Sequence, residues 1–258
     1  MNWRSRRLRW LAGALVAVAV VGGGVWALTP RAEPAPRPVT LDEAARLAMA
    51  RYTTFQSSPV RVRVQAPMAG NTVVVEGVVD YRRHRAVGSY EFAGSSAGLV
   101  AWDDRGLAVA PGKKADPLVA AGTMRPTEWS PRSFTTDPLD SALRLSMLMG
   151  QDRPDNAQVL AEQGPQWLRG EVIDGKPYGV FAGPRPRSAA DSGQSPLTYW
   201  IDDIGGLRRV TRQLADLDGA LVIDFPGGRG RSRRIPGNPG DAGLVSGRAL
   251  ESFSRFRG

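Results

Sequence analysis

The chain has 258 residues, with 34 Lys and Arg against 25 Asp and Glu, a net charge of +9 and no cysteine. The missing thiols exclude disulfides, a thiolate metal site, a cysteine nucleophile and a lipid-modified N-terminal Cys. A charge of +9 would suit nucleic acid, but four Arg lie in residues 1–9 and seven in residues 227–258, which leaves a neutral body of 23 basic and 23 acidic groups.

Arg4, Arg6, Arg7 and Arg9 precede an uncharged run from Trp10 to Thr29. At about 1.5 Å per residue this run is long enough to cross a bilayer core as a helix. The expectation is a single-pass signal anchor over 10–29, with residues 1–9 cytoplasmic and the main domain extracytoplasmic, at the cell membrane. A signal peptide cut after Val25-Trp26-Ala27, giving a secreted protein, is the other reading. Residues 30–39 form a Pro-rich spacer that resists helix and sheet pairing. The domain is expected over 40–226 and a basic, Gly/Pro/Arg-rich, disordered tail over 227–258.

Thr40 and Glu43 are spaced as a capping box, and Leu41, Ala44, Leu47, Ala48 and Phe55 give the following helix an apolar face to about Phe55. Strands follow. Val60, Val62 and Val64 alternate with Arg61, Arg63 and Gln65, and Thr72 to Tyr81 puts Val73, Val75, Gly77, Val79 and Tyr81 on one face. Arg82-Arg83-His84 turns the chain, and Arg85 to Phe92 returns with Ala86, Gly88, Tyr90 and Phe92 in step. Leu99–Trp102 and Leu107–Ala110 form a hairpin around Asp103 to Gly106.

Residues 111–136 read as loop. Asp137 is a candidate N-cap and Pro138 suits a first helical turn, so a helix is expected to about Met149. Its apolar positions, including Leu143 and Met147, exceed one narrow stripe, so it needs cover on more than one side. Strand-like runs follow at 157–161, 166–173 and 177–182, with Asp174-Gly175 as a hairpin turn and 183–196 as a loop. Leu197 to Phe225 then reads as a three-strand meander, turning at Asp202 to Gly206 and at Asp218-Gly219.

This order of elements, with the late hairpin YWIDDIGGLRRVTRQL, resembles the LolA/LolB-like group, particularly the actinobacterial LppX/LprG-type exported lipoproteins. The resemblance covers roughly residues 40–226. It implies an α+β fold: a strongly curved antiparallel β-sheet, or half-barrel, closed by helices around a hydrophobic cavity that takes acyl chains. The chain departs from that group in lacking the N-terminal Cys, so a retained anchor favours a tethered receptor or hand-off protein over a shuttle.

The residues that carry chemistry are sparse. The single His, His84, stands in a basic turn, so a histidine triad or histidine metal site has no material. Asp103-Asp104 and Asp202-Asp203 project to opposite sides if extended, a poor calcium cage and a poor acid/base pair. The Gly-rich stretches do not lie between a strand and a helix, so they form no phosphate loop. No catalytic residue, metal ligand or cofactor is expected, and no nucleic-acid partner, because the basic tail has no aromatic platform beside it.

The function expected is lipid or lipoprotein acyl-chain binding for envelope transport or hand-off, without a reaction. The cavity candidates are Val73, Val75, Val79, Tyr90, Phe92, Leu143 and Met147. The alternative is a non-catalytic envelope sensor or protein-interaction domain whose same face is a solid core and whose partner is another envelope protein. Cavity and core share one sequence pattern.

Overall fold

The computed structural model describes residues 35–68, 70–92, 96–112, 116–185, 195–214 and 219–227. The uncharged run at 10–29, the turn residue Asp218 and the tail beyond residue 227 lie outside them. Among the described residues no helix is long and apolar enough to cross a membrane.

Twelve described strands form one antiparallel sheet. They are β1 (Arg37–Pro38), β2 (Val60–Met68), β3 (Asn71–Asp80), β4 (Arg85–Phe92), β5 (Ser96–Asp103), β6 (Gly106–Pro111), β7 (Ser130–Ser133), β8 (Gln166–Ile173), β9 (Lys176–Ala182), β10 (Leu197–Ile201), β11 (Leu207–Gln213) and β12 (Ala220–Asp224). Their order in the sheet is β1-β8-β9-β10-β11-β12-β2-β3-β4-β5-β6-β7. Four described α-helices accompany them: α1 (Leu41–Gln56), α2 (Pro117–Thr123), α3 (Pro138–Met147) and α4 (Ala157–Glu162).

The period-two alternation sorts side chains to two faces of this sheet. Val62, Val64, Val75, Val79, Val100, Trp102, Leu107, Phe181, Ile201, Val210 and Ile223 join Leu143 and Met147 of α3 and Leu47 of α1 in one cluster. A flat sheet would spread the ten strands from β8 to β6 over roughly 43 Å at about 4.8 Å per interval. One cluster holds them because the sheet bends around α1 and α3. The face toward these helices is the inner face.

Antiparallel pairing also sorts the strand ends. Pro38, Met68, Asn71, Phe92, Gln166, Ala182, Leu197 and Gln213 come to one end, here the upper. Val60, Asp80, Arg85, Trp102, Leu107, Ile201 and Asp224 come to the other, the lower. Helix α1 starts beside the upper end, after Pro38. It reaches the lower turn, where the Thr53 hydroxyl donates to Gly205 O at 2.6 Å.

Several sequence expectations hold. The capping box at Thr40 and Glu43 is present, with Glu43 N donating to Thr40 Oγ1 and Thr40 N to Glu43 Oε2. Asp174 and Gly175 both adopt positive φ, 52° and 75°, the backbone a tight hairpin demands. Asp103 Oδ1 accepts from Arg105 N and Gly106 N, while Asp202 Oδ1 accepts from Ile204 N and Gly206 N. These two acidic pairs are therefore turn formers.

Others need correction. Residues 157–161 are not a strand: they form α4, because the Asn156 side chain accepts from Gln158 N and Val159 N and starts a helix there. Residues 111–136 are not all loop. Asp116 caps α2, a 3₁₀ turn covers Pro126–Glu128 and β7 pairs with β6. The spacer does pair, since Arg37 and Pro38 form β1 against β8. Pro38 is tolerated because β1 is an edge strand of two residues. Asp137 starts α3 without a side-chain cap bond. Asp140 does the tying instead, accepting from Thr135 N and Oγ1 and from both Arg132 nitrogens.

Candidate functional site

The candidate site is the inner face, and it divides along its height. At the lower end Val79, Ala86, Trp102 and Leu107 pair in one row across β3 to β6. All four are buried, and α3 reaches the row at Trp102. Ser146 of α3 is the tie, since its Oγ accepts from Trp102 Nε1 at 3.2 Å and its carbonyl accepts from Tyr81 OH at 2.9 Å. Opposed glycines make room for the indole. A Cβ at Gly77 would stand 2.6 Å from Val87 O and 3.2 Å from the Trp102 ring. Burial also pushes the Tyr81 hydroxyl up, far above the usual tyrosine range.

One row higher than mid-height the picture changes. Phe181, Tyr199, Val210 and Ile223 pair across β9 to β12, and Val64, Val75, Tyr90 and Gly98 continue the row across β2 to β5. Above it stand Leu197, Arg212 and Leu221 on one side and Ala66, Val73 and Phe92 on the other. Met68, Tyr90, Phe92, Trp167, Leu197, Tyr199 and Leu214 all pack on the core yet remain only partly buried. At the lower end Phe55, Val60, Phe134 and Leu139 are likewise only partly buried, with Val60 opposite Val79 in the row itself. The Tyr90 ring lies over Gly98, where a Cβ would meet it at 2.6 Å. Burial pushes the Tyr199 hydroxyl up to about 12.

The seven sequence candidates thus fall into two groups. Val73, Tyr90 and Phe92 belong to the upper half and Val75 to the row between, but only Tyr90 and Phe92 are half-covered; Val73 and Val75 are buried core, at 2% and 0% exposed. Val79 belongs to the filled lower half, with Leu143 of α3 buried in the same cluster as Val79 and Trp102. Met147 follows Ser146 in α3 and is 7% exposed. Sequence reasoning missed Met68, Trp167, Leu197 and Leu214, whose signal was position at strand ends on the inner face. It also missed Arg212, an exposed cation in the same row as Leu197 and Leu221.

Charge holds the margins of this face. Arg37 donates to both Glu43 oxygens at 2.7 and 2.8 Å and lies 4.6 Å over the Trp167 ring. The Arg37 guanidinium holds the Glu43 carboxyl down to about 2, against the opposing effect of burial. At Asp140, burial pushes the carboxyl up, but Arg132 and Thr135 outweigh it and leave the group below the usual carboxylate range. The outer face is polar between its covered patches, with Arg209 to Asp224 at 2.7 Å and Arg63 to Glu76 at 2.9 Å. Helix α2 and Trp129 cover Leu99, Ala101 and Ala108 there.

Two depressions lie elsewhere. One, of about 550 Å³, is on the outer face beside Arg61, Arg63, Glu76, Ser89 and Asp116. The other, of about 50 Å³, is at the lower end between Thr53, Thr54, Val60, Leu207 and Phe225. Neither is lined by any of the seven candidates. Among the described residues no group of three or more His, Asp and Glu is placed to hold a metal ion.

No family model matches the sequence, and no curated protein matches it. Among solved structures, the Mycobacterium tuberculosis lipoprotein LppX is similar to this chain with a TM-score of 0.41 and 18% identity, over 74% of this chain and 97% of that one.

Proposed function

We propose that the chain is an extracytoplasmic binding protein, tethered to a membrane through residues 10–29, that holds acyl chains of a lipid or lipoprotein against the upper half of its inner face and catalyses no reaction. The observation that carries this is the half-covered state of Met68, Tyr90, Phe92, Leu197 and Leu214 around the upper end of the inner face. Each methylene moved from water onto that surface is worth about 0.8 kcal/mol. Arg212 provides a cation in the row where a head group would leave the apolar surface.

The seven candidates change weight under this reading. Tyr90 and Phe92 contact the acyl chain, whereas the buried Val73, Val75, Val79, Leu143 and Met147 form the floor. The second reading is an envelope sensor or protein-interaction domain with a solid core. It draws on the lower half, where Val79, Trp102 and Leu143 are fully buried.

Uptake of a fluorescent phospholipid by the wild type and by Leu197→Trp, at a half-covered position, tests the choice. A binding face predicts reduced uptake with an unchanged melting temperature, because the indole takes the place of the acyl chain. A solid core predicts no uptake by either protein and a lower melting temperature for the variant.

A further inference from the structure

The two edges of the sheet are finished differently. At one, β7 is four residues long, exposed throughout, and carries Pro131, which has no N–H to offer a further strand. At the other, β1 covers β8 only at Trp167 and Gln166. From Arg169 to Ile173, β8 pairs in regular register with β9 on one side, and no described strand pairs with its other side. Every second residue of such a stretch turns its N–H and C=O toward the open side. The stretch has no proline and no lysine, the residues that commonly blunt an edge. Val172 within it is 69% exposed, more than any other large apolar side chain among the described residues.

Its side chains select the strand that fits. Arg169 and Glu171 stand 3.2 Å apart on one face of β8, and Glu171 also accepts from Trp200 Nε1 at 2.9 Å. Between them Gly170 is exposed, with open space where a Cβ would stand. A second copy of β8, antiparallel and centred on Gly170, sets Arg169 of each chain opposite Glu171 of the other. Centring the pair on Arg169 or on Glu171 sets that residue against its own like charge, which destabilises a sheet. An axis between two residues would oppose side chains from different faces. The stretch is self-complementary about Gly170, as a two-fold interface requires.

We propose that β8 pairs with β8 of a second copy about a two-fold axis at Gly170, so that two chains share one continuous sheet. Because the joined strands run antiparallel, the upper end of one copy lies beside the lower end of the other, and both inner faces look to the same side.

The chain has no cysteine, which makes the test direct. Full-length Gly170→Cys, purified in mild detergent, is oxidised with copper phenanthroline and run on a non-reducing gel beside Ser133→Cys, an exposed position on the β7 edge. Opposed Cα atoms of an antiparallel pair stand about 4.5–5.5 Å apart, within the span of a disulfide. The expected result is a dimer band several-fold stronger for Gly170→Cys. Bands of equal strength, or no band, overturn the proposal.

The register has its own tests. Val172→Cys lies two residues from the axis and is expected to give a weak band, and a band as strong as that at Gly170 overturns the register. Arg169→Glu, added to Gly170→Cys, is expected to weaken the band several-fold, and adding Glu171→Arg as well is expected to restore it. A band that Arg169→Glu leaves unchanged, or that the double exchange fails to restore, overturns the charge pairing.

Discussion

The upper and lower halves of the inner face are built from the same strands, with the same alternation, and they end in different states. Below, α3 crosses β12, β2 and β5, Ser146 ties Trp102 and Tyr81 to it, and the apolar row is closed. Above, Tyr90, Phe92 and Leu197 continue the same rows without full cover. An apolar strand face thus becomes core or binding surface according to which helix lies on it.

The largest expected effect tests the lower half. Trp102→Ala removes the central side chain of the closed row and should cost about 3–5 kcal/mol, read as a fall in the denaturant midpoint. Phe92→Ala, in the upper half, should cost only about 1 kcal/mol and should act mainly on lipid uptake. Comparable losses for the two variants would erase the distinction between the halves.

Overpacking sharpens the same contrast. Val79→Trp should destabilise by about 1–3 kcal/mol, because the buried row has no room for an indole, whereas Leu197→Trp, at a half-covered position, should leave the midpoint unchanged and lower lipid uptake. A melting temperature that falls equally for both would make the upper half another piece of core.

A smaller effect isolates the tie between α3 and the sheet. Ser146→Ala leaves the buried Trp102 Nε1 without its acceptor, for a loss of about 1–3 kcal/mol. Lipid uptake should persist in the surviving folded fraction. Complete loss of uptake at full folding would instead place Ser146 in the binding surface.

The smallest expected effect is at the upper margin and depends on pH. The Glu43 carboxyl is held at about 2 by Arg37, below an unfolded value near 4.5. Its contribution is therefore fully present above about pH 4.5 and is lost as the pH falls toward 2. Glu43→Gln should lower stability at pH 7 by about 0.5–2 kcal/mol, and the gap between wild type and variant should close on acidification. A gap that stays constant from pH 7 to pH 2.5 would show that the carboxylate charge contributes nothing.

Much of this was legible in the residues, for identifiable reasons. Strands β2 to β4 carry a strict alternation, the Thr40 and Glu43 spacing states a helix start, and Asp174-Gly175 states a hairpin. Helix α2 was missed although Asp116-Pro117 repeats the Asp137-Pro138 signal that was used for α3. Helix α4 was missed because its short apolar run outweighed the Asn156 cap. The buried pairing of Arg132 with Asp140 has no local signature, since it joins β7 to α3. The division of the inner face was not readable at all, because it depends on where α3 comes to rest, and Val73, Val75 and Val79 differ only in their height on one strand.

The most direct measurement is native mass spectrometry of residues 36–227, exported from a bacterial host, purified without detergent and then extracted for lipid. Acyl-chain binding predicts a stoichiometric adduct that extracts as lipid and is diminished in Leu197→Trp. A bare mass that stays unchanged after incubation with phospholipids and triacylated lipids would contradict it and leave the inner face as the core of a protein-binding domain.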